Sequence, residues 1–187
     1  MRNRVIPTLV AVGMVALSAV GLRASEVGSD GELVRGSSGR PVAVNAGEVT
    51  VSRVRVGTGL IEYGRLSERT DGMFVVVTVV AAATGRDRLA FSNAALVSGD
   101  THYDAFSTTD SVRAEPGFQT TAELTFEVDP RRLDDDAALE LHPNEIVSGY
   151  QERLHIRLAE DATAAGWAAQ ARDRTLEVAS PSQRAVP

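Results

Sequence analysis

The run Phe74-Val75-Val76-Val77-Thr78-Val79-Val80-Ala81 leaves this chain few ways to fold. It is apolar on both faces and mostly β-branched, and such stiff side chains crowd a helix but suit a pleated sheet. A strand with no wet face needs neighbours on both edges and cover on both sides, so it is predicted to be a central strand. Around it the hydrophobic period is two. Residues 121–128 place Ala122, Leu124, Phe126 and Val128 on one face and Thr121, Glu123, Thr125 and Glu127 on the other, which reads as a strand with one wet face. Residues 137–141 and 153–158 repeat that alternation, as expected of half-buried antiparallel strands. In residues 49–56 the inward set is Val49 and Val51, then Val54 and Val56, so the phase slips at Ser52-Arg53. A slip flips every later side chain unless an extra residue absorbs it, which predicts a bulge or a switch between sheets there.

Turn-forming groups punctuate these strands: Gly57-Thr58-Gly59, Asp71-Gly72, Thr84-Gly85, Ser98-Gly99-Asp100 and Glu115-Pro116-Gly117. Seven to nine short strands at such intervals describe an all-β, immunoglobulin-like antiparallel β-sandwich. The chain has no cysteine, which removes disulfides, thiolate metal sites and cysteine nucleophiles together. Packing alone must hold it.

The N-terminus has a different pattern. Arg2 and Arg4 precede the uncharged residues 5–22, and Arg23 follows. A helix over those 18 residues spans about 27 Å, close to the hydrocarbon thickness of a bilayer. Basic residues before an apolar run address a chain to the translocation machinery, with the arginines held on the cytoplasmic side. Residues 1–24 are therefore expected to be an N-terminal hydrophobic helix acting as an uncleaved anchor. A cleaved signal is the alternative, with Ala19-Val20-Gly21 as the small-residue site. Residues 25–47, rich in Gly, Ser and charge, are expected to be a flexible linker, and residues 48–160 the sandwich. Residues 161–187 are expected to form a short helix and a disordered tail. In that segment Asp161 is placed to cap a helix with Ala164, Trp167, Ala168 and Ala171 on one face. Residues 175–178 are placed to add an edge strand. Trp167, the only tryptophan, is expected to dock the helix on the sandwich, and contact with a partner is the lesser alternative.

Setting aside the three arginines of residues 1–24 leaves 16 basic residues against 25 acidic ones, a charge that repels nucleic acid. The chemical inventory beyond it is sparse. His102, His142 and His155 lack a metal-ligand spacing, and Arg153 and Arg157 flank His155 on a predicted solvated face. Asp134-Asp135-Asp136 lacks the spaced ligands and glycine of a calcium loop. Asp100, His102 and Asp104 would share one side of a strand, with Tyr103 on the other, and are the one candidate ligand or acid/base group. No nucleophile elbow or phosphate-cradling loop is present in the sequence. No cofactor is expected.

The carriers of a family resemblance lie between Glu48 and Leu158. They are the strand of residues 49–56, the long strand Gly72-Met73-Phe74-Val75-Val76-Val77-Thr78-Val79, and Phe91 leading through Leu96-Val97 to Gly99-Asp100 and Tyr103. The Pro116-Gly117 turn and Leu124-Thr125-Phe126-Glu127-Val128 with Pro130 complete them. In these the chain resembles the telokin-like, immunoglobulin-like domains of unknown function in exported bacterial envelope proteins and lipoproteins. It departs from them at Ala81-Ala82-Ala83, where such domains often carry an asparagine. The resemblance implies an envelope-exposed, non-catalytic module and brings no catalytic residues with it. The leading expectation is thus a membrane-tethered module outside the cytoplasm, crossing the membrane once through residues 5–22 and holding an envelope protein partner. The alternative is a secreted protein that binds a small ligand or a metal, or a hydrolase, working through Asp100, His102 and Asp104.

Overall fold

The computed structural model describes residues 32–105, 111–143, 152–158 and 164–186. Twelve described strands form two six-stranded sheets stacked as a sandwich. They are β1 (Leu33–Ser37), β2 (Val42–Val44), β3 (Gly47–Glu62), β4 (Arg65–Ala83), β5 (Leu89–Ser98), β6 (Thr101–Asp104), β7 (Val112–Ala114), β8 (Phe118–Val128), β9 (Ala138–Pro143), β10 (Arg153–Arg157), β11 (Thr175–Val178) and β12 (Ser182–Ala185). A 3-10 turn, Pro130–Arg132, follows β8, and one described helix, α1 (Ala164–Ala171), precedes β11. The first sheet runs β1-β10-β9-β5-β6, with β7 also on β5. The second runs β11-β3-β4-β8-β12, with β2 also on β3.

The doubly apolar run occupies β4, hydrogen-bonded to β3 on one edge and β8 on the other. Its odd-numbered residues Met73, Val75, Val77, Val79 and Ala81 enter the main core, where they meet Leu96, Leu124, Phe126, Leu139, Leu141, Leu154 and Ile156. Phe74 and Val76 face away from that core, yet both are fully buried. They form a second apolar cluster with Leu60 and Leu176. The predicted bulge is present: Val51 pairs with Val79 and Arg53 with Thr78, leaving Ser52 over. A second irregularity between Gly57 and Gly59 flips the phase again, which is why Leu60 turns to the outer cluster while Val56 points to the core.

Several expectations are corrected. Gly57-Thr58-Gly59 and Asp71-Gly72 are not turns; they lie inside β3 and β4, which run 16 and 19 residues. The strands exceed seven to nine, and the edges are not purely antiparallel, because β1 pairs parallel to β10 and β11 parallel to β3. The described part of the expected linker is folded. Gly36 marks a close approach rather than slack, since a Cβ there would lie 2.2 Å from the Val42 side chain. The expected disordered tail is also folded over residues 182–185, where β12 pairs with β8, and the Val186 N–H donates to the Gly117 carbonyl at 2.9 Å. All four β12 residues are exposed, so backbone hydrogen bonds hold the strand, and hydrophobic patterning carries no trace of such a strand.

The expected wet face of β8 is half covered. Thr125 is fully buried and Glu123 only 9% exposed, because the C-terminal segment crosses this side of the second sheet. It begins where the Thr58 and Gly59 N–H groups donate to the Arg174 carbonyl, at 2.8 and 3.3 Å. Next the Ala179 N–H donates to Glu123, and β12 joins the far edge. Trp167 on α1 is buried in the main core, so the helix docks on the sandwich and the indole offers a partner no surface. Asp161 lies outside the described residues, as do residues 5–22. Among the described residues no helix is long and apolar enough to cross a membrane.

Candidate functional site

The β3–β4 hairpin ends in a two-residue turn, because Glu62 and Arg65 are the last cross-strand pair. Tyr63 and Gly64 both have positive φ, 51° and 73°, as in the turns whose twist matches two right-twisted strands. Glycine takes that conformation freely, whereas a tyrosine in it costs about 1 kcal/mol. The strained residue is also 81% exposed, and Leu66 beside it is 55% exposed. The tip therefore presents an aromatic and an aliphatic side chain to solvent on either side of Arg65. Sequence reasoning placed turns at the glycine-rich groups on either side and missed this one. The signal was Tyr63-Gly64 itself, with charged residues at both flanks.

An open polar cleft of about 640 Å³ lies at the base of the hairpin, lined by Arg69, Asp71, Glu127, Asp129 and Arg131 among others. Two of its carboxylates, Glu127 and Asp129, are engaged within the protein. The Thr70 hydroxyl donates to Glu127 at 2.5 Å, and the Arg131 N–H donates to Asp129 at 3.0 Å, capping the 3-10 turn.

The sequence-derived group Asp100, His102 and Asp104 lies at the opposite kind of place. His102 and Asp104 are exposed on the edge strand β6 and Asp100 is exposed in the turn before it, and none of the three lines a described cavity. His155 is instead paired: its Nδ1 lies 3.1 Å from Glu140 on β9, whose other oxygen is 3.6 Å from His142 Nε2. A partner across the ladder, invisible along the strand, offsets the two flanking arginines. Among the described residues no group of three or more histidines and carboxylates is placed to hold a metal ion.

Tyr103 points inward from β6 and packs against the core edge. Burial pushes its phenol pKa above 10.0, and the Asp129 carboxylate adds to the rise while the Arg132 guanidinium opposes it. A phenol raised in the folded state is neutral in both states below 10.0, so its effect on stability appears only above that pH. The unfolded chain then ionises first and the fold is penalised. Thermal midpoints measured between about pH 9 and pH 11 are expected to fall more steeply for the native protein than for Tyr103→Phe. Parallel slopes would show that the ring is solvated.

These features define a two-sheet β-sandwich with a folded C-terminal strap and a projecting hairpin. No family model matches the chain, and no curated protein matches it in sequence. The chain is similar to the crystal structure of the yjhA protein from Bacillus subtilis, with a TM-score of 0.51 and 15% identity over 66% of this chain and 99% of that one. An uncharacterized β-sandwich protein from Clostridium difficile 630 is similar more loosely, with a TM-score of 0.41 and 10% identity over 67% of this chain and 95% of the other. At 15% identity the first likeness shows the β-sandwich fold alone.

Proposed function

We propose that this protein is a non-catalytic binding module, telokin-like and immunoglobulin-like in its fold, that is displayed outside the cytoplasm and holds a protein partner in a bacterial envelope. Residues 5–22 are its membrane tether, crossing once and leaving the sandwich on the outer side. The observation that carries the reading is the exposed, backbone-strained Tyr63 at the hairpin tip, with Arg65 and the exposed Leu66 next to it. Strain that buys no packing belongs to residues with another task, and tyrosine and arginine are the side chains that most often dominate protein interfaces. Folded, the strap supports the same reading, because it closes the outer side of the second sheet and leaves the hairpin as its projecting feature.

The test uses crosslinked envelopes and the full chain, captured with and without Tyr63→Gly. Glycine relieves the turn, so the variant is expected to be more stable by up to about 1 kcal/mol while its partner affinity drops roughly tenfold or more. Gain of stability with loss of capture is the signature of an interface residue. Equal recovery of the same partner by both proteins, or no specific partner for either, would overturn the proposal.

A further inference from the structure

The outer side of the first sheet is built differently from that of the second. Among the described residues no strap covers it, and the ladder sets the small Ala138 beside Val97, whose other neighbour is His102. Long polar side chains stand around that floor. Arg35 on β1 pairs in parallel register with His155 on β10, and Arg157 follows two residues later on the same face. Between them and the ends of β5 and β9 lies a cavity of about 300 Å³, lined by Arg35, His155, Arg157, Val97, Gly99 and Asp136, among others.

Its charges are arranged asymmetrically. Neither Arg35 nor Arg157 meets a carboxylate among the described residues, although the chain has 25 acidic residues to 19 basic ones. His155 is held by Glu140 through Nδ1, and among the described residues no partner meets its Nε2. The same cavity is lined by one carboxylate, Asp136, and among the described residues no ion pair joins it to either guanidinium. A guanidinium fork matches a carboxylate, and an isolated aspartate accepts from a hydroxyl or an ammonium group. Val97 and Gly99 leave room for a short apolar substituent.

We infer that this cavity binds a small organic acid whose carboxylate sits between Arg35 and Arg157 and whose adjacent hydroxyl or amino group donates to Asp136. It takes an α-hydroxy or α-amino carboxylate of a few carbon atoms. The site is separate from the hairpin tip and does not depend on the reading proposed for it.

Calorimetric titration of the full chain with lactate, alanine and acetate tests the inference. Lactate and alanine are expected to saturate below about 10 mM, with acetate weaker. Arg157→Gln is expected to weaken lactate and alanine at least about tenfold, through loss of a charge-assisted pair. Asp136→Asn is expected to weaken lactate and alanine but not acetate, so that the three ligands converge. Both residues are exposed, and an unchanged thermal midpoint confirms that each variant folds. No saturable heat with any ligand, or identical titrations for the native protein and both variants, would overturn the inference.

Discussion

Replacing Glu123 with alanine is expected to cost about 2–4 kcal/mol and to loosen the C-terminal strap before the sandwich itself opens. Among the described residues Glu123 is the one carboxylate that joins three strands and the tail. It accepts from Arg55 Nη2 at 2.6 Å, from the Thr78 hydroxyl at 3.1 Å and from the Ala179 N–H at 2.8 Å. The Glu123 and Arg55 side chains are only 11% and 15% exposed, so removing one strands a nearly buried charge on the other. Residual exposure places the expected loss below the full cost of breaking a buried pair. Arg55 keeps one contact, its Nη1 donating to the Glu177 carbonyl at 2.9 Å, so the strap is weakened rather than lost. Urea titration reads the stability change. Hydrogen exchange reads the place, with the amides of residues 176–179 and 182–185 exchanging much faster than those of β4. Glu123→Gln retains an acceptor but not the charge and is expected to fall between the two. A change within about 0.5 kcal/mol for Glu123→Ala would show that the strap is held elsewhere.

The same residue shows where sequence pattern stops being informative. Alternation along β8 assigns Glu123 to the side away from the core, and it is on that side. Whether the side is wet depends on a segment more than fifty residues later, which local periodicity cannot register. The doubly apolar β4 run was legible as a central strand for the opposite reason: its own composition demanded cover on both faces. The Ser52 bulge was legible too, because a phase slip is a local property. Folded stretches near residues 33–44 and 182–185 were not: β12 is an exposed edge strand held by backbone hydrogen bonds, and β1 and β2 pack Val34, Val42 and Val44 on the core but are too short to show a period. The candidate site divides similarly. The sharing of one side by His102 and Asp104 followed from strand geometry, but their exposure followed from β6 being an edge. The Arg35, His155 and Arg157 arrangement needed a parallel pairing between segments about 120 residues apart, and no spacing along the chain signals it.

Trp167→Ala is expected to cost about 3–5 kcal/mol, as large aromatic truncations in a packed core do. At roughly 2–4 °C per kcal/mol for a domain of this size, the thermal midpoint falls by roughly 6–20 °C. The indole is 6% exposed and Ala171, one turn on, 2% exposed, so both belong to the face that α1 lays on the core. Eight residues are too few for a helix to persist alone in water, so docking is what keeps α1 helical. Its loss reaches beyond the helix. The chain leaves α1 through Asp173, held at a φ of 56°, and then offers the Arg174 carbonyl to Thr58 and Gly59 at the start of the strap. Freeing α1 therefore removes the fixed point from which β11 registers on β3. Calorimetry measures the midpoint, and the single indole makes fluorescence a specific probe, blue-shifted while docked and red-shifted once released. Tyr63→Gly provides the contrast, since it is expected to raise stability while weakening capture roughly tenfold or more. If Trp167→Ala instead abolished capture and left the midpoint unchanged, the indole would be a partner contact after all and the docked helix would not be the state in solution.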